Sequence, residues 1–138
     1  MNRWAVAGLI LLVACSTGSA RPADVAEPTI GLELAHELFF GSGATAPATI
    51  DVHVLNRATT PILLRRVQLS SPGMTTYTIY PITRDFHETI QPGEVKTVSI
   101  FATAETTVRR PNEPLTLRAI VDFASAGGKV WREMVITR

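Results

Sequence analysis

From Thr29 onward apolar and polar residues alternate along much of the chain, the pattern of strands buried on one face only. Ile30, Leu32, Leu34 and Leu38 share one parity, and Gly31, Glu33 and Glu37 the other. Ile50, Val52 and Val54 alternate with Asp51 and His53 up to Asn56, and an apolar run from Ile62 to Leu69 stops at Ser71-Pro72-Gly73. The β-branched and aromatic stretch Thr75 to Ile82 predicts a fourth strand, and Asp85 to Ile90 a short fifth. Val95 to Ala102 predicts another strand, with Val98 and Ile100 inward. The clearest alternation is Leu115, Leu117, Ala119, Val121 and Phe123 against Thr116, Arg118 and Asp122, and Val130 to Ile136 closes the series.

The intervening residues read as turns. Gln91-Pro92-Gly93-Glu94 has Pro where φ must be near −65° and Gly where it must be positive, which predicts a type II turn. Gly127-Gly128 reads as a two-residue hairpin connection. Leu34 to Phe40 has the spacing of a helical turn, but Gly41 and Gly43 follow too closely to sustain one. Seven or eight short strands without an amphipathic helix predict an all-β, antiparallel immunoglobulin-like sandwich over residues 29–138. The single cysteine excludes the inter-sheet disulfide of antibody-type domains, and any disulfide within the chain.

An opening apolar strand, a strand ending at Asn56, a small-polar turn reaching Pro61 and a Pro-Gly turn before a Val/Ile strand resemble small immunoglobulin-like sandwiches. The same order is similar to the water-stress, late-embryogenesis type of β-sandwich, although Arg57 follows Asn56 where that family has proline. The resemblance spans residues 29–137 and implies a fold, not an activity.

The N-terminus follows a different pattern. Arg3 precedes an uncharged apolar run from Trp4 to Ala14, too short for the roughly 20 residues that span a bilayer but suited to a secretory signal peptide. It ends in Leu12-Val13-Ala14-Cys15, which resembles the lipobox of bacterial lipoproteins. That resemblance implies cleavage between Ala14 and Cys15 and acylation of Cys15, with residues 1–14 as signal peptide. It also implies outer-membrane sorting in a diderm host, because Ser16, and not aspartate, follows the cysteine. A competing reading takes Gly18-Ser19-Ala20 as an ordinary cleavage site, releasing a soluble secreted domain after Ala20. Residues 15–28, rich in small residues, proline and scattered charge, predict a flexible tether.

Length and charge narrow the function classes. A chain of 138 residues, 46% hydrophobic, is enough for one domain. Its 13 basic residues fall to 12 without Arg3, against 12 acidic ones, so the mature chain is formally neutral and nucleic acid is not an expected partner. A neutral chain must hold to a bilayer by its acyl groups.

Candidate chemistry is sparse. His36, His53 and His87 lack the close spacing of a metal site, and no metal or other cofactor is expected. No nucleophile elbow, phosphate-cradling glycine loop or paired-carboxylate pattern is present, so an enzyme is not expected. The adjacent pairs Arg65-Arg66 and Arg109-Arg110 are candidate anion contacts, although alternation alone turns one arginine of a strand pair outward. The expectation is therefore an envelope lipoprotein held in the bilayer by Cys15, with a structural or protein-binding sandwich, or alternatively a periplasmic module for a small ligand or metal.

Overall fold

The computed structural model describes residues 20–73, 75–108, 110, 113 and 115–137. These form eight strands: β1 (Thr29–Leu34), β2 (Thr45–Leu55), β3 (Ile62–Ser70), β4 (Tyr77–Ile79), β5 (Ile82–Ile90), β6 (Val95–Thr106), β7 (Leu117–Ser125) and β8 (Val130–Thr137). There is no helix among the described residues. The strands make two antiparallel sheets, ordered β1-β2-β6-β4 and β5-β3-β7-β8. This is the ABED and C′CFG arrangement of an immunoglobulin sandwich with one departure, because the strand beside β6 precedes the strand beside β3 in the chain.

Alternation builds the interior. Ile50, Val52 and Val54 of β2, Leu64, Val67 and Leu69 of β3, and Ala119, Val121 and Phe123 of β7 are buried, and the polar residues between them face outward. Trp131 of β8 is 1% exposed and stacks on Phe123 with ring centroids 5.3 Å apart, so the largest side chain of the core hangs from an edge strand. One core cluster draws on both sheets.

Four expectations are corrected. The tether is not free throughout: Val25 is 4% exposed within the core cluster, Pro22 and Pro28 are buried, and Arg21 pairs with Glu133 at 2.9 Å. Packing therefore begins near residue 21, not 29, because an apolar side chain and an ion pair offset the ordering entropy that composition alone suggested. The stretch from Thr75 to Ile90 divides at Pro81 instead of near residue 83, with β4 in one sheet and β5 in the other. β1 stops at Leu34, leaving Leu38 in the following loop, packed against the core. The β7–β8 connection is a three-residue loop: Gly128 donates to the Ser125 carbonyl, Ser125 donates to that of Lys129, and Gly128 takes φ 84°. That is a type I turn closed by a glycine bulge. The turn at 91–94 is as expected, with Gly93 at φ 76° and Glu94 donating to the Gln91 carbonyl.

Asn56 ties one end of the sandwich together. It is fully buried, and its Nδ2 donates to the carbonyls of Thr60 and Ile90, each at 2.9 Å. Its Oδ1 accepts from the Ala58 N–H, and its backbone exchanges hydrogen bonds with Glu94 and Gly93. A buried amide whose groups are all satisfied costs little to desolvate and fixes three chain segments at once.

Candidate functional site

The Arg65-Arg66 pair lies on the outer face of the β5-β3-β7-β8 sheet. Leu64 opposes Phe123 and Arg66 opposes Asp122, so Arg65 is an extra residue in β3 and a β-bulge forms there. The bulge breaks the alternation, and both arginines are exposed instead of one. Arg66 donates to Asp85 at 2.6 Å, and Arg132 makes a two-point contact with Asp122 at 2.7 and 3.2 Å. Asp85, Arg66, Asp122 and Arg132 stand in register across four strands, an alternating charge row.

Each arginine of the row gains from its neighbour. The Arg66 hydrogen bond holds the Asp85 carboxyl below the usual carboxylate range, and the same contact raises the Arg66 guanidinium. The Asp122 hydrogen bond raises Arg132. The Arg65 side chain makes no ion pair or hydrogen bond among the described residues, although its charge also lowers Asp85, and with Phe86 and His87 it lines a depression of about 330 Å³ beside the row.

The other candidates lie elsewhere. Arg110 follows β6, where its backbone is held by the Tyr77 hydroxyl, which donates to its carbonyl at 2.8 Å and accepts from its N–H at 3.1 Å. Tyr77 in turn stacks on Phe40. Arg109 and the lipobox residues Ala14 and Cys15 lie outside the described residues. His53 contacts Thr97 and Glu33 on the other sheet, while His36 and His87 are exposed. The three histidines do not meet, and no cluster of three or more metal-ligating side chains occurs among the described residues.

Pairing order places one feature that alternation does not reveal. β8 is an edge strand, and its outward row Val130, Met134 and Ile136 is 38%, 63% and 51% exposed. Beside it runs a groove of about 310 Å³ lined by Glu27, Pro28, Ile30 and Arg57 on one side and Glu133 to Val135 on the other. The sequence carries the signal for the exposed row, since Val130-Trp131 and Met134-Val135-Ile136 put apolar residues on both parities of one strand.

No protein-family model matches the chain, and no curated protein does. Among solved structures, a Northeast Structural Genomics Consortium target solved by X-ray crystallography is similar over 79% of this chain and 80% of its own, at 10% identity and a TM-score of 0.55. The beta-glucuronidase of Bacteroides uniformis matches 78% of this chain with 12% of its own length, at 15% identity and a TM-score of 0.43. A PapD-like domain of human CEP192 matches 98% of this chain and 95% of its own, at 8% identity and a TM-score of 0.31. The first of these likenesses shows the fold and nothing further: the chain folds as an all-β sandwich.

Proposed function

We propose that this chain is a cell-envelope lipoprotein, anchored through acylated Cys15 and presenting a β-sandwich with a structural or protein-binding role. The observation that carries the reading is Leu12-Val13-Ala14-Cys15 closing an eleven-residue apolar run, Trp4 to Ala14. A formally neutral mature chain needs a hydrophobic anchor, and each buried methylene contributes about 0.8 kcal/mol, so durable attachment takes at least two acyl chains. The acylated lipobox cysteine supplies them.

The packed N-terminal segment sharpens the reading. Between Cys15 and Arg21, the first residue ion-paired to the domain, lie only residues 16–20. Fully extended, each adds at most about 3.6 Å, so the domain stands within roughly 20 Å of the anchored cysteine. The anchor then holds the sandwich against the leaflet, where a neighbouring envelope protein is within reach. Ser16 after the cysteine favours the outer membrane in a diderm host.

The competing cleavage after Ala20 has one observation in its favour, since it would leave Arg21 as the first residue and the packed domain intact. Mass spectrometry of the mature N-terminus separates the two. The lipoprotein reading expects a chain beginning at acylated Cys15, with Cys15→Ala leaving the precursor unprocessed and absent from outer-membrane fractions. A mature chain beginning at Arg21, indifferent to Cys15→Ala, rejects it.

A further inference from the structure

We infer that β8 is a docking edge for an extended peptide strand of a partner protein, a strand carrying an acidic residue or a free carboxylate at its C-terminal end. The inference deepens the interaction half of the function proposed above and does not depend on lipidation.

The backbone of β8 supplies the template. Ser125 and Lys129 form a hydrogen-bonded pair, and hydrogen-bonded pairs recur at every second position of an antiparallel ladder. Residues 131, 133 and 135 therefore direct their N–H and C=O groups to β7, while those of Val130, Arg132, Met134 and Ile136 point to the open edge. Among the described residues no backbone hydrogen bond from outside β8 reaches these four. An open edge offers alternating donors and acceptors to any extended chain laid beside it.

The groove states what that chain carries. Its walls present Pro28 and Ile30 opposite Met134 and Val135, so apolar side chains are accommodated along its length. Of its charged residues, Glu27 and Glu133 both face Arg21, at 3.6 and 2.9 Å. Arg57 has no ion pair among the described residues, so it is the one charged side chain of the groove left to meet a guest. The loop carrying Arg57 leads into Ile62, which pairs with Ser125 beside the β7–β8 turn, so it lies at the end of the sandwich where β8 begins. A guest running antiparallel to β8 finishes at that same end and brings its carboxylate to Arg57.

The test uses the ¹⁵N-labelled mature full chain in detergent and a synthetic Thr-Val-Thr-Val-Thr-Val-Asp peptide with a free C-terminus, followed by amide hydrogen exchange. Peptide at millimolar concentration should slow exchange at Val130, Arg132, Met134 and Ile136 by tenfold or more. Met134→Pro removes an edge donor without touching the β7 ladder and should abolish that protection while the Trp131 resonances stay in place. Arg57→Gln should weaken the acidic peptide several-fold and leave an amidated, aspartate-free peptide unchanged. No protection at the four amides, or protection unaffected by Met134→Pro, overturns the inference. So does protection that rises with protein concentration in the absence of peptide, because the edge would then belong to a second copy of this chain. Each of these failures leaves the N-terminal mass of the mature chain, and with it the anchor, untouched.

Discussion

β5 and β8 close the same sheet from opposite sides and are of similar length, nine and eight residues, yet they meet solvent in different ways. β5 presents Thr83, Arg84, Asp85, His87 and Thr89 to water, and only Ile82, Phe86 and Ile90 join the apolar interior. Charges on an edge deter a second strand, because docking there would desolvate them. β8 carries one outward charge, Arg132, already held by Asp122, between apolar Val130, Met134 and Ile136. Its inner side is anchored by Trp131, whose Nε1 donates to the same Glu133 carboxylate that Arg21 reaches. One edge is a solvated rim and the other a firmly seated strand with an unprotected flank.

If β8 is the firmly seated edge, its anchor should matter more than its counterpart on β5. Trp131→Ala removes a fully buried indole and its stack on Phe123, and should cost about 3–5 kcal/mol. Phe86→Ala removes a half-buried ring and should cost about 1–2 kcal/mol. Urea unfolding of both variants measures the pair. Equal losses would mean that the two edges are seated alike and that the contrast between them is one of surface only.

How much of this was legible in the sequence follows from what alternation encodes. Period two marks which residues of a strand face inward, so β2, β3, β6 and β7 were readable from Ile50, Leu64, Ile100 and Val121, and with them the all-β class. Alternation does not encode which strand lies beside which. That β8 is an edge depends on contacts between distant segments, and the groove beside it depends in part on Glu27 and Pro28, which composition assigned to a tether. Within β8 the apolar residues fall on both parities, and burial of Trp131 decides which face is inward. The bulge at Arg65 was hidden for the same kind of reason. Two adjacent arginines in an apolar run look alike whether or not the register slips, and only the pairing with Asp122 shows that it does.

The C-terminal end of β5 is fixed from the loop that follows β2, through the Asn56 amide on the Ile90 carbonyl. Asn56→Ala leaves the carbonyls of Thr60 and Ile90 and the N–H of Ala58 without that partner, the last two in a buried site. A loss of about 2–3 kcal/mol is expected, since each buried polar group left unsatisfied costs about 1–3 kcal/mol and local relaxation recovers part of it. Hydrogen exchange localises the effect. Amides at residues 88–94 should open more often in the variant, while those of residues 131–135 keep their protection. Uniform loss of protection across both edges would show that Asn56 supports the whole sandwich and not the β5 end in particular.

The smallest effect separates the edges by the forces acting on them. Asp85 has its carboxyl held below the ordinary range by the Arg66 hydrogen bond, so the folded state binds its proton less readily than the unfolded chain. A group depressed in this way stabilises the fold above the ordinary carboxylate range, and the contribution disappears as pH falls through that range and below the folded value. Both partners are exposed, so the contribution is small and screened. The melting temperature of the wild type should exceed that of Asp85→Asn at neutral pH in dilute buffer. The gap should close near pH 2, and also in about 1 M salt, where the screening length is roughly 3 Å. Met134→Ala on the opposite edge alters no charge, and its small effect on melting should be the same at both pH values and both salt concentrations. A gap for Asp85→Asn that survives acid and salt would mean that Asp85 acts through packing, and the electrostatic account of the β5 edge would fall with it.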